Sequence, residues 1–411
     1  LLENTQWLGE REIRKVQLAR LRRVLGHAYS TVPYYRAVFR QIGLRPEDVK
    51  DVSDLGKIPL LTRDILRSRN EELVSTTSQR ASREHTGGTT STPVSFLRDK
   101  CDGSWGWAAA LRAYSWAGYE TGDKEALVWA SSSIKPHPLG PLYDKAKRTL
   151  LIDITSFSTQ KMNHILRELE KFRPDFIRGY SKAVRVLADN SLEGGRDLEA
   201  RGVISTANML YELHRKVISR AFRCPVFDFY GSREVMTIAA ECEEHEGLHV
   251  TAENMVLEVV RDGESASPGE VGSLVVTNLT NYSMPLIRYE IGDLGRFASS
   301  LCSCGRGLPL LESLEGREYE YIVNSDGSYT YLRDLETFFG ELPVKDFQVV
   351  LEGPDLITVN IVEGEAYSEE HDRFIKANLK WSGRSKVEIR RVTEIGDAPS
   401  GKRLRILRQP S

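Results

Sequence analysis

Val226-Phe227-Asp228-Phe229-Tyr230-Gly231-Ser232-Arg233-Glu234 is the stretch from which the fold can be read. An apolar β-run halts at Tyr230-Gly231, and a single acid, Glu234, opens the next segment. Upstream, strand-like runs at 126–130, 150–154, 176–177 and 203–205 alternate with helical stretches at 159–172, 180–192 and 210–223. Strands and helices in alternation predict an α/β domain with a largely parallel sheet. Such sheets bind ligands beyond the carboxyl ends of their strands. Residues 226–234 fit that rule.

Working outward, the pattern changes downstream. Short β-runs at Met255–Val260, Gly272–Asn278, Leu286–Arg288, Leu294–Ala298 and Tyr321–Val323 are punctuated by Asp262-Gly263, Pro268-Gly269 and Asp326-Gly327 turns, which predicts a compact β region. From about residue 318 a smaller α+β unit is expected, with strands at 347–351, 357–362, 386–392 and 404–407 and a helix at 368–381. The expected organisation is a large multi-layer α/β domain over 1–317, with a β and candidate zinc region at 240–317, followed by a small domain over 318–411. Upstream, apolar positions from Ile13 to Leu25 predict a helix over 7–30. Thr62 is placed to N-cap a short helix toward Ser68. The aromatic stretch with Trp105, Trp107, Tyr114, Trp116 and Tyr119 reads as one helix packed in the core, with some rings facing a substrate.

Thr86-Gly87-Gly88-Thr89-Thr90-Ser91-Thr92-Pro93 suits neither helix nor strand. The paired glycines permit positive φ and close approach to a ligand. The hydroxyls and amides that come after them suit a phosphate group, although no Gly-Lys-Ser/Thr closes the loop as in a Walker A motif. Lys+Arg 56 against Asp+Glu 58 leaves a net charge of -2 with no long run of either sign. That argues against nucleic acid or a membrane surface as partner. No stretch approaches the roughly 20 apolar residues of a membrane span. Leu1-Leu2-Glu3-Asn4 reads as no signal peptide, and 5 cysteines in a chain this long form no disulfide framework. A cytoplasmic, reducing setting is expected.

Four of the residues that bind soft metals stand out. Cys242-x6-His249 is followed by Cys302-x-Cys304-Gly305, three thiols and an imidazole, the ligand set of a closed structural zinc site. His245 is a lesser candidate. The alternative is free thiols beside a surface imidazole.

With these motifs in order, the sequence resembles the adenylate-forming superfamily, and within it the phenylacetate–CoA ligase family and its relatives from capsule and natural-product gene clusters. The resemblance rests on His27-Ala28-Tyr29 and Val32-Pro33-Tyr34-Tyr35-Arg36, Ile58-Pro59-Leu60-Leu61-Thr62-Arg63, the loop at 86–93, Tyr230-Gly231-Ser232-Arg233-Glu234, Ile287-Arg288-Tyr289-Glu290-Ile291-Gly292-Asp293, Gly316-Arg317 and Gly401-Lys402. It spans nearly the whole chain.

The resemblance implies an ATP-dependent acid–thiol ligase. AMP is transferred to a carboxylate, pyrophosphate leaves, and the acyl group passes to coenzyme A. The alternatives are an amine or a carrier-protein thiol as acceptor, or a degenerate nucleotide-binding relative without catalysis. Thr86, Gly87, Gly88, Thr89 and Thr90 would hold phosphates, and Glu234 would hold Mg²⁺, a hard cation suited to carboxylate and phosphate oxygens. Ala207, Asn208, Asp228, Phe229, Tyr230, Gly231 and Ser232 would line the nucleotide site, with Tyr230 stacked on adenine. Asp293 would accept from the ribose hydroxyls, Arg317 would contact ribose or phosphate, and Lys402 would offset the repulsion between carboxylate and α-phosphate. The implied partners are a small-molecule carboxylic acid and the acyl acceptor, with a homodimer as a candidate assembly. The C-terminal domain would pivot at 318–322 between half-reactions. The chain departs from the family pattern at Asn208, where a Glu is common, at Ser232 for Thr, and at Glu320 for the hinge Asp.

Overall fold

A computed structural model of the chain describes residues 1–78, 81–85, 94–129, 147–153, 159–317, 321–323, 329–352, 356–379, 386–396 and 405–408. The chain divides into two compact units, one drawn from 1–86, 95–291 and 295–314, the other from 87–94, 292–294 and 315–411.

The first unit is organised by a sheet whose parallel half follows the sequence pattern closely. The strands in chain order are β1 (Ser82–His85), β2 (Ser95–Arg98), β3 (Glu125–Trp129), β4 (Thr149–Asp153), β5 (Phe176–Tyr180), β6 (Gly202–Thr206) and β7 (Val226–Ser232), then β8 (Met236–Glu241), β9 (Leu248–Val250), β10 (Met255–Arg261), β11 (Glu264–Ser265), β12 (Gly272–Asn278), β13 (Tyr289–Phe297) and β14 (Leu310–Arg317). β3 to β7 pair in parallel, and β4, β5, β6 and β7 connect in turn through helices Thr159–Phe172, Ser181–Glu193 and Glu212–Phe222. These helices cover one face, where Leu166, Leu187 and Phe222 pack on Val128, Ile177 and Val203. Helix Lys100–Trp116 covers the other, with Ala110 and Tyr114 against Phe176 and Ile204. Burial on both faces is why these strands read as unbroken apolar runs.

The β region expected downstream is not a separate body. It continues the same sheet in the order β11-β10-β12-β13-β14-β9-β8-β7-β6-β5-β3-β4. The junction is the β7–β8 hairpin, which turns the sheet from parallel to antiparallel pairing. The strand expected at Leu286–Arg288 is absent. Two of its amides go to side chains instead: Ile287 N donates to Tyr35 Oη, which itself donates to Pro285 O, and Arg288 N donates to Thr277 Oγ1. Arg288 itself sits at φ 50, and regular pairing starts only at Tyr289. Helix Glu10–Thr31 begins three residues later than expected, after a short helix Leu2–Thr5. Of the aromatics on Lys100–Trp116, Tyr114 and Trp116 are buried and Trp107 is exposed.

In the second unit β17 (Val344–Leu351), β18 (Leu356–Glu363), β19 (Lys386–Arg391) and β20 (Ile406–Arg408) form a sheet ordered β19-β18-β17-β20, beside the hairpin of β15 (Tyr321–Val323) and β16 (Tyr329–Tyr331). Helices Leu332–Gly340 and Glu369–Asn378 close its core through Phe339, Phe347, Ile375 and Val359. Helix Leu332–Gly340 was not apparent in the sequence. Among the described residues, no helix is long and apolar enough to cross a membrane.

Candidate functional site

The carboxyl ends of β6 and β7 bring the expected nucleotide residues side by side. Their parallel register sets Ser205 opposite Asp228 and Thr206 opposite Phe229, so Ala207-Asn208 leaves the sheet beside Phe229-Tyr230. Ala207 takes the left-handed φ of 63 as the chain turns away. At Gly231 the hairpin is bulged, and a Cβ there would lie 2.4 Å from Met236 O. That contact explains the glycine of the motif. Ser232 Oγ accepts from Val235 N at 3.3 Å and shapes the turn that carries Glu234. Glu234 therefore lies on a hairpin turn and does not start a helix.

Glu234 is buried, and its Oε1 accepts a 3.3 Å hydrogen bond from the phenol of Tyr289, which is buried too. Burial, together with the adjacent carboxylate, pushes the Tyr289 phenol well above its ordinary range, so it acts as a donor. Two separate sequence motifs thus meet at one carboxylate. The Arg63 guanidinium stands 3.8 Å from the same oxygen. Neither Arg63 nor Tyr289 drew a role from the sequence, because only the fold places them at Glu234.

Residues 86–93 lie outside the described residues, but the strands flanking them are placed. β1 and β2 pair antiparallel from Ser82↔Arg98 to His85↔Ser95, which sets His85 opposite Ser95. Arg98 donates to Arg233 O, and Arg233 donates to His85 O at 3.4 Å. His85, the last residue of β1, and Arg98, the last of β2, are thereby tied to the turn that holds Glu234. A buried carboxylate with Tyr289 as its one hydrogen-bond donor among the described residues keeps lone pairs for a hard cation, so the residues present fit Mg²⁺.

In the second unit Asp293 pairs with Arg317, Nε to Oδ1 at 2.9 Å. Lys402 and residues 318–320, including Glu320, are outside the described residues.

The cysteine–histidine set does come together. Cys242, His249, Cys302 and Cys304 present ligand atoms all within 4.8 Å of one another, and the first three residues are buried. Cys242 Sγ is 3.7 Å from Cys302 Sγ, and Cys304 Sγ is 3.3 Å from His249 Nε2. Tetrahedral zinc with Zn–S near 2.3 Å requires sulfurs about 3.8 Å apart. Burial, aided by the Arg306 cation, lowers the His249 pKa to about 4, so the imidazole is neutral as a ligand must be. Burial raises the thiols of Cys242 and Cys302; at Cys304 it is outweighed by hydrogen bonds from Arg306, which lower the thiol. Around the cluster, Arg306 pairs with Glu243 at 3.0 Å and reaches Gln6 Oε1 at 3.2 Å, which also accepts from Trp116 Nε1 at 2.8 Å. His245 is turned away from the four and bonds Glu241 at 3.1 Å. The donor set and its spacing fit zinc.

No family model matches the chain. The phenylacetate-coenzyme A ligase of Escherichia coli (strain K12) is 28% identical over 76% of this chain and 72% of its own length. The chain is a relative of the phenylacetate-coenzyme A ligases. The ligase of the same name from Thermus thermophilus is 25% identical over 84% of this chain and 79% of its own, and Protein CapK of Staphylococcus aureus is 22% identical over 90% and 83%. The fold is that of 2-hydroxyisobutyryl-CoA ligase. The crystal structure of 2-hydroxyisobutyryl-CoA ligase in the postadenylation state superposes with TM-score 0.80 at 18% identity, covering 99% of this chain and 92% of that one. The chain thus shares sequence with the phenylacetate-coenzyme A ligases and architecture with 2-hydroxyisobutyryl-CoA ligase.

Proposed function

We propose that this protein activates a carboxylic acid with ATP and passes the acyl group to coenzyme A. The observation that carries the reading is the Tyr289–Glu234 hydrogen bond, which joins two ATP-site motifs in a relative of the phenylacetate-coenzyme A ligases. A carboxylate oxygen attacks the α-phosphorus of ATP, the bond to the β-phosphate oxygen breaks, and pyrophosphate leaves with that electron pair. The thiol of coenzyme A then adds to the acyl carbon, loses its proton, and expels AMP. Such transfers depend chiefly on position and on neutralised charge.

In this reading the loop at 86–90 cradles the β- and γ-phosphates, and Ala207, Asn208 and Asp228–Ser232 border the adenine, with Tyr230 stacked on it. Asp293 and Arg317 exchange their mutual pairing for the ribose and its phosphate. Glu234 would hold Mg²⁺, which when bound neutralises charge on the phosphate oxygens. Lys402 lowers the repulsion between the two anions that must meet. Residues 1–317 carry ATP and acid, and 318–411 supply Lys402 and swing between half-reactions. Cys242, His249, Cys302 and Cys304 hold a structural zinc that clips together the ends of the β region.

Pyrophosphate exchange across a panel of carboxylic acids, phenylacetate included, tests the activation step. Coenzyme A, an amine and a carrier protein offered in turn then identify the acceptor. Lys402→Ala should lower exchange by at least about 10²–10³-fold while ATP still binds. Unchanged exchange in that variant removes Lys402 from the chemistry, and exchange with no acid at all removes the enzyme reading. Metal analysis should find about one zinc per chain, with loss of the ion and a lower melting temperature in Cys302→Ser. A metal-free protein of undiminished thermal stability overturns the zinc assignment.

A further inference from the structure

Arg63 reaches Glu234 because three local devices fix where it leaves the backbone. Leu61 forms a parallel bridge with Tyr289, in which Leu61 N donates to Arg288 O at 2.8 Å and Glu290 N to Leu61 O at 3.1 Å. Arg288 holds the preceding stretch by donating to Gly56 O and Ile58 O at 3.3 and 2.6 Å while its guanidinium pairs with Glu258 at 3.1 Å. Thr62 Oγ1 then accepts from Ile65 N at 3.3 Å and starts helix Arg63–Ser68, with Arg63 as its first residue. The same strand therefore delivers Tyr289 and, through its neighbour, Arg63 to one carboxylate.

The contact is loose for an ion pair. The nearest approach is 3.8 Å, beyond hydrogen-bond length, and among the described residues the buried Arg63 Nε makes no hydrogen bond. A buried carboxylate without a cation is costly, and a cation at this distance offsets much of that cost without using the carboxylate's lone pairs. We infer that Arg63 is a placeholder cation, which balances Glu234 while the metal is absent and so keeps free divalent ions off Glu234 until nucleotide phosphates arrive with them. The inference rests on the assignment of Glu234 as the Mg²⁺ ligand. Arg63 acts through Glu234 and is a positioning residue.

The test measures metal binding without nucleotide. Mn²⁺, which prefers oxygen donors and so avoids the thiol cluster, is titrated into the full-length protein and the free ion followed by electron paramagnetic resonance. Arg63→Met and Arg63→Gln should each tighten nucleotide-independent Mn²⁺ binding at least about tenfold, since a competing charge has been removed. Arg63→Lys should bind as the wild type does, and adding Glu234→Gln to Arg63→Met should abolish the gain. Thermal melting confirms that each variant is folded. Wild-type affinity in both folded neutral variants, or a gain that survives Glu234→Gln, overturns the inference. The Mg²⁺ dependence of pyrophosphate exchange separates the two levels of the argument. If Glu234→Gln leaves it unaltered, the metal-ligand reading itself fails and the placeholder falls with it. If Glu234→Gln abolishes it and the Arg63 variants bind Mn²⁺ as the wild type does, only the placeholder falls.

Discussion

Two buried glutamates in the first unit are served very differently. Glu253 is saturated: Arg112 reaches both its oxygens, at 2.6 and 3.2 Å, and Thr5 Oγ1 donates at 2.5 Å. Its side chain is 0% exposed, and that of Arg112 is 1% exposed. Glu234 is nearly as deep, yet among the described residues it has one phenol donor at 3.3 Å and a guanidinium at 3.8 Å. A carboxylate kept only for structure is expected to fill its lone pairs, because an unfilled one is costly when buried. One that must receive a ligand cannot be filled in advance. On the proposed assignment of Glu234 as a metal ligand, burial does not separate the two acids, whereas coordination does.

The first way to break that contrast is Glu253→Gln. Removing one member of a fully buried, hydrogen-bonded pair strands the Arg112 charge and should destabilise the protein by about 3–5 kcal/mol. The loss should appear in chemical denaturation, with exchange activity per folded molecule preserved. A loss below 1 kcal/mol, on the order expected of a surface pair, would show that saturation is not what holds Glu253 in place. Next in size is Glu234→Gln, expected to cut exchange about 10²–10³-fold, a magnitude typical of one missing electrostatic contact in a site. Its melting temperature should stay near that of the wild type, since Tyr289 can still donate to the amide oxygen. If melting fell as far as in Glu253→Gln while exchange survived, the two acids would have the same role and the contrast would collapse.

The same distinction explains what could be read before the structure was known. The α/β alternation from Glu125 to Ser232 was legible because strands buried on both faces leave apolar runs, and helices Thr159–Phe172 and Glu212–Phe222 each show one apolar stripe. Glu234 and Asp293 were legible as motif members, and the thiol–imidazole set as a composition. Three things were not. Leu286–Arg288 is apolar enough for a strand, but two of its amides are taken by the side chains of Tyr35, far off in sequence, and Thr277 on β12. The continuity of the β region with the parallel sheet depends on the β7–β8 hairpin, whose bulge is a matter of register rather than composition. Arg63 lies in the Ile58–Arg63 motif without a role there, since Glu234 is brought to it by tertiary contacts, the bridge from Leu61 to Tyr289 among them.

A third buried acid lies between the extremes and offers the smallest effect. Asp102 Oδ1 accepts from Asn278 at 2.9 Å and from Thr280 at 2.7 Å, but Oδ2 makes no hydrogen bond although Arg98 Nε is 3.2 Å away. Half saturated, it shows the consequence: burial raises its pKa above the ordinary 3.8 despite those two hydrogen bonds and the Arg98 charge. A native pKa above the unfolded one means that the folded state holds the proton more tightly. The stabilisation this gives is complete below the unfolded value and is lost as pH rises through the native one. Asp102→Asn keeps an acceptor for Asn278 and Thr280 but has nothing to titrate. Wild type should therefore lose stability relative to the variant as pH is raised from about 4, with a difference near neutrality of about 1 kcal/mol or less. Denaturation midpoints of both proteins across that range decide it: curves that run parallel would mean that Oδ2 is as well served as the oxygens of Glu253.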